Sequence, residues 1–151
     1  MRMWVVLLIL IGAAGAMPEP YYQDVPAVLE DPDTIATMLT EFNYTSMYVE
    51  GVFDCSEIAG HAEWFLENIG IETDIVMSWE PAHMVVRCNT TEGWMAFETC
   101  SEDGVVYAIR TKADYIYDLS NTWIVSDIFE ASERWEGFGA VDWWTSHPEL
   151  G

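Results

Sequence analysis

Three side chains that together can transfer an acyl group occur in one order along the chain: a thiol at Cys55, an imidazole at His83 and a carboxylate at Glu98. Asp54-Cys55-Ser56-Glu57 has the D-x-x-E form of a capping box, which puts Cys55 at the first position of a helix. There, backbone N–H groups without helical partners and the positive end of the macrodipole favour a thiolate over a thiol. Asp54 opposes this by like-charge repulsion, so the sulfur needs a cationic partner such as an imidazolium. His61 comes six residues later on the same helix, about 240° round it after a full turn, and points away. His147 lies near a frayed end. His83 remains, at the start of a strand that a helix-then-sheet layout brings beside the helix N-terminus.

A four-residue hairpin loop from Asn89 to Glu92 pairs Cys88 with Gly93 and sets His83 directly opposite Glu98 on one face. The roles of a thiol acyl-transfer site are then filled. Cys55 attacks a carbonyl, His83 moves the proton, and Glu98 holds the tautomer and steadies the imidazolium. The Cys55 N–H is the expected oxyanion donor, and no second donor stands out. The plainer readings are a buried structural thiol at Cys55 and a satisfied strand histidine at His83. The helix-start position and the matched carboxylate favour the reactive reading.

In that register Cys100 opposes Pro81, roughly 23 Å along a strand from Cys88 at about 3.3 Å per residue. A bridge needs Cα atoms within about 7 Å, so no Cys88–Cys100 disulfide is expected. Cys100 shares the face of Glu98, and a bond from it to Cys55 is the arrangement that would disable the site. No Cys-x-x-Cys, His-x-x-x-His or D-x-D-x-D-G spacing occurs, so neither a metal nor another cofactor is expected.

The elements that must position these groups are readable in outline. Ile35, Met38, Leu39 and Phe42 recur at helical spacing behind Asp33, a candidate N-cap, which predicts a helix over 33–42. Ile58, Ala62, Phe65, Leu66 and Ile69 form the apolar stripe of the helix that Cys55 begins, and Gly70 stops it. Strands are expected at Ile71 to Ser78, His83 to Cys88, Trp94 to Thr99, Val105 to Ile109 and Tyr115 to Tyr117. Ile124 to Arg134 is expected to include a short acidic helix. Trp135, Phe138, Trp143 and Trp144 read as a tail packed onto the body, and Trp79 and Trp94 as packing residues that flank the hairpin. The fold class is α+β, a Cys-bearing helix packed on an antiparallel sheet.

Phe53-Asp54-Cys55-Ser56-Glu57-Ile58-Ala59, then Gly70-Ile71-Glu72-Thr73, then His83 and Gly93-Trp94-Met95-Ala96-Phe97-Glu98, resembles the transglutaminase-like domains of the papain-like thiol superfamily. The resemblance runs from about Tyr48 to Cys100. It implies an α+β core with a Cys55, His83, Glu98 triad, a thioester intermediate, and a protein or peptide substrate, with water or an amine as acceptor. The alternative is an envelope or binding module that keeps the fold without the activity.

The N-terminus places Arg2 ahead of an apolar run from Trp4 to Ile11 and then small residues up to Ala16, the order of a secretory signal peptide. The run is shorter than the ~20 residues that span a bilayer, so membrane contact is expected only through this segment. The expected organisation is a signal peptide over 1–16, an irregular lead-in over 17–32 and the domain over 33–151, exported to the cell envelope or beyond. With 51% hydrophobic and 14% aromatic residues the chain can build a core, which argues against disorder. Against 26 acidic residues stand 5 basic ones, and a formal charge of −21 repels nucleic acid and anionic lipid. The same charge suits a salt-adapted, archaeal-type exported protein. Asn43-Tyr44-Thr45 and Asn89-Thr90-Thr91 are glycosylation acceptor patterns, usable if the host glycosylates exported chains.

Overall fold

The computed structural model describes residues 15–79, 82–110, 122–134 and 141–151. Most of the predicted signal peptide, the strand expected at Tyr115 to Tyr117, and Trp135 and Phe138 lie outside the described residues. The fold is α+β: a five-stranded antiparallel sheet with helices packed on it.

Helix α1 spans Pro32–Thr40 and begins earlier than Asp33. Proline lacks an N–H and has its φ preset, so it belongs at the first helical position, which makes Asp31 the cap. Its carboxylate accepts the Thr34 N–H at 2.9 Å. Helix α2, Cys55–Asn68, starts as the capping box requires: Asp54 accepts the Ser56 N–H at 3.2 Å and Glu57 accepts the Asp54 N–H at 3.0 Å. Gly70, at φ 92°, turns the chain out of it.

The strands are β1 (Thr73–Trp79), β2 (Ala82–Thr90), β3 (Gly93–Glu98), β4 (Tyr107–Ile109) and β5 (Thr122–Val125), in the order β4-β3-β2-β1-β5. β5, which follows no alternation strong enough to mark it, pairs with β1 and precedes the short helix α3, Ile128–Arg134. The β2–β3 hairpin is tighter than expected. Thr90 pairs with Gly93 around a two-residue turn, Thr91-Glu92. The Thr90 hydroxyl donates to the Gly93 carbonyl at 2.7 Å and accepts the Glu92 N–H at 3.1 Å, and Gly93 takes φ 94°. This register is offset by two from the expected one, so His83 lies diagonal to Glu98 and not directly across from it. Same-face parity survives, because side chains alternate with period two.

One sheet face packs Ile75, Met77, Met84, Val86, Cys88 and Phe97 against α2, whose Ile58, Ala59, Ala62 and Leu66 are fully buried. Burying each large aliphatic or aromatic side chain contributes about 1.5–3 kcal/mol. Val76, Val85 and Ile109 cluster on the opposite face. By alternation His83 and Glu98 belong to that second face. The lead-in carries no regular element before α1. It is tied to the body by Val28 N–H to the Gly70 carbonyl at 2.8 Å and by Thr91 N–H to the Glu30 carbonyl at 3.0 Å, and Tyr21 sinks into the core. The tail packs as expected where it is described: Trp143 in α4, Trp143–Ser146, is fully buried against His61 and Trp64. No helix among the described residues is long and apolar enough to cross a membrane.

Candidate functional site

At the N-terminal end of α2, where β3 parts from β2 beyond the Val86–Phe97 pair, a cavity of about 560 Å³ opens. Cys55 and His83 line it together with Thr45, Tyr48, Cys100 and Glu102. Glu98 stands behind the imidazole. His83 Nε2 lies 3.1 and 3.0 Å from the two Glu98 oxygens, both residues are buried, and Glu98 Oε1 also accepts the Cys100 N–H at 2.9 Å. The carboxylate is thus anchored from two sides, and it holds the ring through Nε2.

The sulfur lies at the edge of β2. It accepts a hydrogen bond from the backbone N–H of Met84, the residue next to His83. Burial first, then the Asp54 carboxylate, push the Cys55 thiol up to about 12, with Glu57 and Glu98 adding to the rise and the Met84 N–H opposing it. The thiolate expected at the helix start is therefore a neutral thiol in the resting site. Burial alone would raise the Asp54 carboxyl, but hydrogen bonds from the Gly51 and Ser56 amides hold it below its usual range, so a full negative charge sits beside the sulfur.

All three cysteines are free thiols, so neither a Cys88–Cys100 nor a Cys55–Cys100 bridge is present. Burial, followed by the Cys55 sulfur and Glu98, raises the Cys100 thiol, and burial pushes that of Cys88 up to about 12. His61 lies away from the cavity, as helix geometry requires. Its Nδ1 meets the Tyr44 hydroxyl at 2.7 Å, and burial lowers it to about 4, so it stays neutral. His147 pairs with Glu149 at 2.7 Å at the far end of the chain. Trp79 packs edge-on against Trp123, and Trp94 lies under the Arg87 guanidinium at 4.5 Å. No group of three potential metal ligands forms among the described residues.

Sequence reasoning missed Thr45, Tyr48, Ser101 and Glu102. They come from turns before α2 and after β3, segments without periodicity. The nearest available signal was Gly51, whose φ of 73° closes the loop that leads from Tyr48 to Asp54.

Compared with family models, curated proteins and solved structures, the chain matches none.

Proposed function

We propose that the protein is an exported, transglutaminase-like acyl-transfer enzyme that uses Cys55, His83 and Glu98 and a thioester intermediate on a protein or peptide substrate. The observation that carries this reading is the buried imidazole–carboxylate pair whose imidazole lines the same cavity as Cys55. Glu98 takes Nε2, so proton exchange with the sulfur runs through Nδ1. A neutral resting thiol suits a general-base route, in which the proton leaves as the carbon–sulfur bond forms. Catalytic contacts that are loose in a free site commonly tighten when substrate enters. Negative rim charge from Glu102 and the overall charge of −21 favour neutral or cationic substrates over anionic ones. Export rests on the N-terminal sequence pattern alone.

One observation favours the second reading, a binding module that has lost the chemistry. A thiol held at about 12, with Asp54 beside it, is a poor nucleophile unless a base assists. Labelling with iodoacetamide, followed by mass spectrometry, separates the two. An enzyme labels at Cys55 well before Cys88 and loses that preference on His83→Ala. Equal, slow labelling of Cys55 and Cys88 in the unaltered protein overturns the enzyme reading.

A further inference from the structure

We propose that Tyr48 is a catalytic residue of this site: its hydroxyl, with the Cys55 backbone N–H, receives the negative charge that develops on the substrate carbonyl oxygen. The proposal rests on the acyl-transfer reading above and supplies the second donor that the sequence left unnamed.

Tyr48 lies on the cavity wall with Cys55 and His83, about half exposed. Its backbone is not loose. The next residue, Val49, bridges Phe53 through hydrogen bonds of 2.9 and 2.8 Å, and Gly51 N–H donates to Asp54 Oδ2 at 2.9 Å. The same Asp54 caps α2 through Oδ1, so one carboxylate sets both the turn that carries Tyr48 and the first turn that carries Cys55.

Three hydroxyls line the cavity, and two are engaged. Thr45 donates to the Ser101 carbonyl at 3.0 Å, and Ser101 donates to the Val105 carbonyl. The Tyr48 hydroxyl makes no hydrogen bond among the described residues, which leaves its proton for a ligand in the cavity. Burial, then Asp54 and then the Cys55 sulfur raise its pKa above the ordinary phenol value, so it is a protonated donor at neutral pH with the sulfur in electrostatic range. The Cys55 N–H, at the first position of α2, likewise has no helical acceptor.

The step balances without a further reactant. The thiol proton passes to His83 as the sulfur bonds to the carbonyl carbon, and the carbonyl π pair moves to oxygen, where Tyr48 O–H and Cys55 N–H hold it. Collapse re-forms the carbonyl and breaks the bond to the leaving amine, which takes the proton from His83. The thioester then goes to water or an amine by the same route.

Two electrophiles test this on the full domain. Iodoacetamide alkylates sulfur by direct displacement and forms no oxyanion; p-nitrophenyl acetate acylates it through one. With Tyr48→Phe, which keeps the ring and its packing, we expect acylation of Cys55 to slow by about 10²–10³, with alkylation within about twofold of the unaltered protein. Equal loss of both reactions assigns Tyr48 to holding the loop, and no loss of either removes it from the site; each overturns the proposal. If the unaltered protein alkylates at Cys55 but is never acylated, the acyl-transfer reading itself falls and this proposal with it.

Discussion

Replacing Glu98 with glutamine tests whether the imidazole activates the sulfur. Both Glu98 oxygens face His83 Nε2, and one of them also takes the Cys100 N–H. An amide offers one acceptor and one donor group. If its oxygen keeps the Cys100 N–H, its NH₂ faces Nε2, and the ring proton must move to Nδ1, the nitrogen needed as base. The size of the loss follows from the thiol. Held at about 12, unaided Cys55 is ionised to about one part in 100,000 at pH 7, against ~3% for an ordinary cysteine near 8.5, a deficit of roughly 10³. A working pair offsets most of that deficit in the unaltered protein, and Glu98→Gln restores it, a loss of about 10³ or ~4 kcal/mol of barrier. The assay is time-resolved mass spectrometry of Cys55 alkylation, with buried Cys88 as internal reference. The variant's rate should climb about tenfold per pH unit up to the thiol's own titration, while the unaltered protein should depart from that line below it. Disturbing a buried hydrogen bond also costs about 1–3 kcal/mol of stability, so labelling is run well below both melting temperatures. Equal Cys55 rates in the two proteins would refute the reasoning.

Asp54→Ala should separate stability from reactivity: loss of the cap costs about 1 kcal/mol, while removal of the charge beside the sulfur makes Cys55 label faster, and calorimetry with labelling reads both. Slower labelling in the folded variant would contradict the electrostatics. Gly60→Ala should destabilise by about 1–3 kcal/mol in thermal unfolding, because its Cβ would come 2.7 Å from Val141 Cγ1 and 3.0 Å from Ile128 Cγ2. An unchanged melting temperature would mean that α3 and the tail do not seat on α2 as described. Glu63 is buried, with Oε1 accepting the Tyr22 hydroxyl at 2.6 Å and Oε2 without a partner among the described residues, and burial raises its carboxyl well above the usual range. A raised carboxyl binds more protons folded than unfolded, so its contribution to stability falls as pH climbs from the ordinary carboxyl range through the raised value. Glu63→Gln removes that fall: it should melt above the unaltered protein at neutral pH and lose the advantage toward pH 4, and a constant difference across that window would count against a buried, protonated Glu63.

The parts of the site that were legible in the sequence are those set by local rules. D-x-x-E placed Cys55 at the first position of α2, Gly70 ended that helix, and period-two alternation kept His83 and Glu98 on one face even though the hairpin register was off by two. Pro32 should have moved the α1 cap to Asp31, since a proline at the first helical position is a stronger signal than an acid one residue later. Alternation also held an unread message: Met84, Val86 and Phe97 point at α2, so His83 and Glu98 belong to the other face, and His83 shares with Cys55 only the cavity at the sheet edge. The cavity wall was out of reach because it is built from turns that only tertiary packing brings together. β5 was hidden because half of its short run is exposed.

The Thr90 clasp at the hairpin tip acts as a distant vernier for the imidazole–carboxylate pair. It selects a two-residue turn, and the count of rungs from there decides whether imidazole and carboxylate emerge on a common side of the ribbon. A slip of two rungs changes only their stagger, while a slip of one throws them to opposite sides. A methyl in place of that hydroxyl, seven residues from the imidazole, therefore threatens the His83–Glu98 pairing without touching either residue.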